Sequence, residues 1–176
     1  MAIDEAKTFT PINIAVLTVS DTRTSDDDTS GDILAARVTS AGHTLAARMI
    51  TRDNADLLAD QFDAWIDDPA IDAIVSTGGT GLTGRDVTPE ALSRIDGARD
   101  IPGFGELFRW LSYQTIGTST VQSRACAIVA RGTYIFALPG SNGAVKDGWD
   151  GILAEQLDSR NRPCNFVELM PRLREV

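Results

Sequence analysis

The chain has 176 residues, with 25 acidic and 16 basic side chains, a net charge of −9 and 43% apolar content. That length suits one domain around a single core, and the acidic balance excludes wrapping a nucleic-acid backbone, which depends on Lys and Arg neutralising phosphates. No apolar stretch approaches the roughly 20 residues of a bilayer span, and Met1-Ala2-Ile3-Asp4-Glu5-Ala6-Lys7 lacks the basic-then-apolar order of a secretory signal; a cytoplasmic protein without membrane or nucleic-acid partners is expected.

Residues 13 to 19, Asn-Ile-Ala-Val-Leu-Thr-Val, form a nearly continuous apolar run, the pattern of a parallel strand buried on both faces. A polar loop, Ser20 to Asp28, follows, and Thr29-Ser30-Gly31-Asp32 leads into a helix with Leu34, Val38 and Ala41 on one face, ended by Gly42. The lone histidine, His43, reads as a turn residue. A second strand over residues 44–51 leads through Arg52-Asp53-Asn54 to a helix on which Ala55, Leu58, Phe62, Trp65 and Ile66 recur with helical spacing, and Pro69 marks its exit.

A third strand, residues 71–76, delivers the tract Thr77-Gly78-Gly79-Thr80-Gly81 at its carboxyl end, and Gly84-Arg85-Asp86-Val87-Thr88-Pro89-Glu90 comes just after. Residues 103–113 carry Phe104, Leu107, Phe108 and Leu111 with helical spacing, which reads as core or subunit contact. Residues 125–130 and 133–138 flank Arg131-Gly132 as a β-hairpin. Cys126 lies in the first of these runs, where a thiol behaves as a small hydrophobe, and no disulfide to Cys164 is expected. A second glycine loop, Pro139-Gly140-Ser141-Asn142-Gly143, opens a helix with Val145, Trp149, Ile152 and Leu153 inward. Residues 159–176 read as a tail lying on the body.

Strands alternating with helices of 10 to 15 residues read as βαβ units, and right-handed crossovers then put helices on both faces of a mostly parallel sheet. The expected fold is therefore doubly wound α/β with a β-hairpin extension. In such sheets ligands bind beyond the carboxyl ends of the strands, where Ser20-Asp21, Asp53 and residues 77–81 would converge.

The glycine tract lacks the G-x-x-x-x-G-K-[ST] of a Walker loop, and no G-x-G-x-x-G follows the first strand. Glycines still let backbone N–H groups turn toward an anion. Asp53 and Asp86 together with substrate phosphates form a common Mg²⁺ arrangement. The plain alternatives stay open at this level: a tight turn capped by Thr88, an N-cap role for Asp53, a turn acceptor role for Asp86. Gly140 and Ser141 offer N–H groups to an anionic substrate, though capping alone would also account for Ser141. With only Lys7 and Lys146 as lysines, anion recognition falls mainly to arginine. A flavin-binding module competes on local grounds, with Asp26-Asp27-Asp28 set to repel its phosphate.

The Val19-Ser20-Asp21 loop, residues 77–81, Arg85 to Glu90, Pro102 to Glu106, Gln122-Ser123-Arg124 and Leu138 to Ser141, taken in this order, resemble the MoaB/Mog family of molybdenum cofactor biosynthesis proteins over nearly the whole chain. Ile116 to Thr120 and Gln156 to Phe166 are most similar to its MoaB branch. The resemblance implies one molybdopterin-binding domain over residues 1–176, with an N-terminal arm over 1–11 and a C-terminal tail over 159–176. It implies a homo-oligomer, trimer or hexamer, that transfers AMP from MgATP to the terminal phosphate of molybdopterin. Other enzymes of the pathway are further partners. The alternative within the family is a noncatalytic molybdopterin-binding or nucleotide-binding protein. Carried over, Asp53 and Asp86 are catalytic and hold Mg²⁺. Gly78, Gly79, Thr80 and Gly81 line the nucleotide, and Ser20, Asp21, Ser123, Arg124, Gly140 and Ser141 bind substrate.

Overall fold

The computed structural model describes residues 3–175; Met1 and Ala2 of the expected arm and Val176 of the expected tail lie outside the described residues. Six strands form one sheet: β1 (Asn13–Val19), β2 (Thr44–Thr51), β3 (Ala73–Thr77), β4 (Arg99–Asp100), β5 (Cys126–Ala130) and β6 (Thr133–Leu138), in the order β2-β1-β3-β6-β5-β4. The pairs β1–β2, β1–β3 and β3–β6 are parallel, while β5 and β4 continue the sheet antiparallel. The hairpin turns at Arg131 (φ 48°) and Gly132 (φ 96°), a left-handed pair that matches strand twist. The two-residue β4 was not foreseen, and β3 begins at Ala73, just after Asp72, whose Oδ2 accepts the Asn13 N–H at 2.7 Å.

The apolar run of β1 is buried on both faces because its alternate residues enter different cores. Ile14 and Val16 pack with Leu34 and Val38 of α1 (Thr29–Ser40), with Phe104 and Phe108 of α4 (Pro102–Ile116), and with Val145 of α5 (Asn142–Gly148). Ala15 and Leu17 pack with Leu58 and Phe62 of α2 (Ala55–Ile66) and with Ala91 and Leu92 of α3 (Thr88–Leu92). This two-faced burial drives the fold, each large side chain contributing about 1.5–3 kcal/mol. After α5 the chain passes through a π-type turn, Trp149–Leu153, into α6 (Ala154–Gln156). On α4 only part of the expected face is inward: Leu107 is exposed, while Phe104 and Phe108 are buried.

The tail carries α7 (Phe166–Leu169) and lies on the first core, where the Tyr134 hydroxyl donates to the Phe166 carbonyl at 3.2 Å. Ile3 bridges Asn161, and the Thr10 N–H donates to Ser159 Oγ at 2.8 Å, so arm and tail are tied together. His43 follows the turn at Ala41-Gly42 that ends α1. It is buried, with Nδ1 accepting from the Ile12 N–H at 3.3 Å. No helix of the described residues is long and apolar enough to cross a membrane.

Candidate active site

The chain order reverses its direction of spread between β1 and β3, which opens a crevice at the carboxyl ends of the parallel strands. Val19, Thr51, Thr77 and Leu138 all end there. The loops are stitched at their bases: Ser20 N–H donates to Thr51 O at 2.9 Å, Gly78 N–H to Leu138 O at 2.9 Å, and Thr77 Oγ1 to Pro139 O at 3.1 Å. Gly78 (φ 107°) is required here, because a Cβ would overlap the Val19 carbonyl oxygen. Gly79 (φ 65°) similarly leaves space for Thr88 Oγ1 and for Asp53 Oδ1, which would lie 3.2 Å from an added Cβ.

A polar cavity of about 540 Å³ occupies the crevice, lined by Ser20, Asp53, Gly78, Gly79, Asp86 and Ser141 among others. Asp53 and Asp86, from different loops, thus face one space. Asp53 is not the helix cap; Asn54 caps α2, its side chain accepting from the Asp56 and Leu57 N–H groups at 3.0 Å. Asp86 does act as a turn acceptor, its Oδ2 receiving the Thr83 N–H at 2.9 Å and hydroxyl at 2.6 Å. The two carboxylates differ electrostatically. Burial pushes Asp53 above the ordinary carboxylate value, with the charge of Asp21 adding to it and Arg85 opposing. Burial also acts on Asp86, but the Thr83 hydroxyl and N–H and the Gly81 N–H outweigh it and hold Asp86 low.

A second cavity of about 300 Å³ adjoins the first at Ser141 and the glycine tract. Its lining combines Phe108, Ile116 and Pro139 with the hydroxyl-bearing Thr80, Ser119 and Ser123. Thr80 Oγ1 is buried without a hydrogen-bond partner among the described residues. An orphan of this kind costs on the order of 1–3 kcal/mol, a cost that a polar ligand atom removes.

Ser20, Gly78, Gly79, Gly140, Ser141 and both aspartates therefore border the polar cavity, and Thr80, Gly81, Ser123 and Ser141 the apolar one. Asp21 is ion-paired with Arg85 at the rim. Arg124 is engaged by the protein itself: its Nε donates to Gly81 O at 2.7 Å, its Nη2 to Asp86 O at 2.6 Å, and Glu90 pairs with its outer edge. It holds the Asp86 loop in place and lines neither cavity. Thr88 is no cap either. Its buried hydroxyl donates to the Gly78 carbonyl at 2.9 Å, with Pro89 in the first turn of α3. Ser141 does cap α5, accepting the Ala144 N–H at 3.2 Å.

Among the polar-cavity residues not expected as ligands from sequence are two arginines, Arg23 and Arg85. The shortage of lysine pointed to arginines in general, and Arg85 also lies in the tract Arg85 to Glu90. Among the described residues no group of three or more His, Cys, Asp or Glu could hold a metal. Two carboxylates facing one cavity, one raised partly by its like-charged neighbours, suit an Mg²⁺ that arrives on phosphates and keeps several waters.

Residues 15–159 match the family described as a probable molybdopterin binding domain. The chain is 49% identical over 158 residues to molybdenum cofactor biosynthesis protein B of Escherichia coli (strain K12), covering 90% of this chain and 92% of that protein. Among solved structures it superposes on a molybdenum cofactor biosynthesis protein B with TM-score 0.84 and 32% identity, over 95% of this chain and 98% of that one. The tungsten cofactor synthesizing protein MoaB from Pyrococcus furiosus is similar at TM-score 0.70 and 34% identity, over 82% and 92%.

Proposed function

The chain belongs to the MoaB/Mog family of molybdenum cofactor biosynthesis proteins, and we propose that it binds molybdopterin and transfers AMP from MgATP to the terminal phosphate of that pterin. The observation that carries this reading is the pair of adjoining cavities that meet at Ser141 and the glycine tract. The apolar one, with the orphan Thr80 hydroxyl, suits a flat heterocycle; the polar one, with Asp53 and Asp86, suits phosphates and their counter-ion.

In the proposed reaction an oxygen of the pterin phosphate forms a bond to the α-phosphorus of ATP as the α–β anhydride bond breaks, and the electron pair leaves with pyrophosphate. Mg²⁺ held by Asp53 and Asp86 would supply neutralisation of charge on the departing group. The chain's own part is positioning. Gly78 and Gly79 admit a phosphate close to the backbone, and Ser20 and Ser141 border the same space. Arg124 and Thr83 keep the Asp86 loop from moving. Holding reactants in line supplies rate without a protein nucleophile or base.

Self-association is part of the proposal and is supported by the outer face of α4, where Trp110 is 61% and Tyr113 56% exposed. Incubation with molybdopterin, ATP and Mg²⁺, with adenylylated pterin and pyrophosphate measured, tests the reading. Pterin retained with no product would replace the transferase by a noncatalytic binding protein.

A further inference from the structure

We propose that Arg23 is a phosphate-contacting residue of this site and that the buried carboxylate of Asp28 positions it. The inference rests on the reading above that phosphates occupy the polar cavity. Two arginines line that cavity, Arg23 and Arg85. The charge of Arg85 is already met by Asp21, to which both its Nε and Nη2 donate. Arg23 is differently placed. Its Nη2 donates to the Gly140 carbonyl at 3.0 Å and its Nη1 to Ser30 Oγ, both neutral acceptors, while Asp28 Oδ1 stays 3.7 Å away. A guanidinium has five N–H donors, so Arg23 keeps both donors and positive charge for an anion.

Asp28 meets that charge only in part, because it hydrogen-bonds to a second arginine and stands farther from Arg23. Arg48 Nη2 reaches Asp28 Oδ2 at 3.0 Å, and its Nη1 reaches Asp32 at 2.7 Å. Asp28 is fully buried at the start of α1, accepting also from Thr18 Oγ1 at 2.8 Å and the Gly31 N–H at 3.0 Å. Gly31 has no room for a side chain, since a Cβ would overlap Asp28 Oδ2. A carboxylate so constrained fixes Ser30, to which it is bonded at 3.4 Å, and Ser30 fixes Nη1. Arg23 thus ties the first loop to the Gly140 loop and presents the remainder of its fork between them. Planar, multi-donor recognition of phosphate oxygens is what arginine does better than lysine.

The phosphate chemistry is shared by nucleotide and pterin, so the full-length protein is titrated calorimetrically with MgATP, magnesium tripolyphosphate, molybdopterin and adenosine in separate arms. Arg23→Ala is expected to weaken at least one phosphate ligand tenfold or more and leave adenosine within twofold; whichever of MgATP and molybdopterin loses more identifies the phosphate contacted. Arg23→Lys should fall between, and millimolar guanidinium should restore part of the loss in Arg23→Ala but none in Asp28→Asn, which still carries the arginine. Asp28→Asn should weaken the same ligand three- to tenfold. If that variant does not fold, Ser30→Ala, which removes the hold on Nη1, takes its place with the same expected direction. Phosphate ligands bound by Arg23→Ala within twofold of the unsubstituted protein overturn the assignment while the site reading stands. Unsubstituted protein that binds neither MgATP, tripolyphosphate nor molybdopterin overturns both.

Discussion

Thr88 Oγ1 donates to the Gly78 carbonyl at 2.9 Å while the Thr88 N–H donates to the Gly79 carbonyl at 3.0 Å, so the first residue of α3 grips the glycine tract twice. The side-chain bond is fully buried. Thr88→Val keeps the shape and leaves the Gly78 carbonyl without that donor, which costs about 1–3 kcal/mol. Urea unfolding is expected to show a loss of this size, with nucleotide affinity falling in parallel because Gly78 and Gly79 line the cavity. Thr88→Ser should recover most of both. A Val variant as stable as the parent would show that the glycine tract holds its conformation without α3.

The two cavity aspartates make separate predictions. Asp53→Asn and Asp86→Asn are each expected to lower adenylyl transfer at least tenfold, about 1.4 kcal/mol of transition-state stabilisation. Burial and the charge of Asp21 oppose the ionised form of Asp53, so its Asn variant should unfold at the urea concentration of the parent or above it. Asp86→Asn gives up the negative charge that accepts the Thr83 N–H and hydroxyl and should unfold earlier. Steady-state kinetics beside urea melts separate the two. Unchanged turnover in either variant removes that aspartate from the mechanism.

These expectations depend on long-range placement, which is where sequence and structure part company. The bounds of β1 and β6 were legible to the residue, because apolar runs ending just before Ser20 and Pro139 are local signals. So was the convergence of the site loops, which follows from parallel strand order. The cap of α2 was not, since Asp53 and Asn54 are both good cap chemistry and only the backbone decides between them. Asp28 ends a polar loop in a run of three acids, yet it is buried, with Arg48 from the neighbouring strand reaching it. The bonds of Arg124 to the Gly81 and Asp86 carbonyls, on a loop about forty residues earlier in the chain, had no local signal either.

The two cysteines should differ sharply in reactivity. Burial pushes the Cys126 thiol up to about 11, with the charge of Asp100 adding to it, so at pH 8 about one molecule in a thousand carries the thiolate. Cys164 is exposed and free. Iodoacetamide at pH 8 is expected to label Cys164 first and to reach Cys126 at a comparable rate only in denaturant, as read by peptide mass mapping. Equal labelling of the native protein would mean that β5 opens readily.

Asp28 also predicts how the fold responds to acid. Burial pushes its carboxyl up, but donation from Arg48, Thr18 and the Gly31 N–H more than offsets this and leaves it below the ordinary value of 3.8. A carboxyl depressed by folding stabilises the native state fully above its unfolded value and loses that contribution as pH falls through its folded value. Asp28→Asn keeps most of the shape but leaves Arg48 with Asp32 alone, and losing the charge-assisted hydrogen bonds costs about 1.5–3 kcal/mol. The urea midpoints of parent and variant should therefore differ by a constant amount from pH 7 to about 5 and draw together below about pH 4, as Asp28 of the parent takes up its proton. A gap that stays constant down to pH 2.5 would show that Asp28 holds the first loop by its shape and neutral hydrogen bonds, with no contribution from its charge.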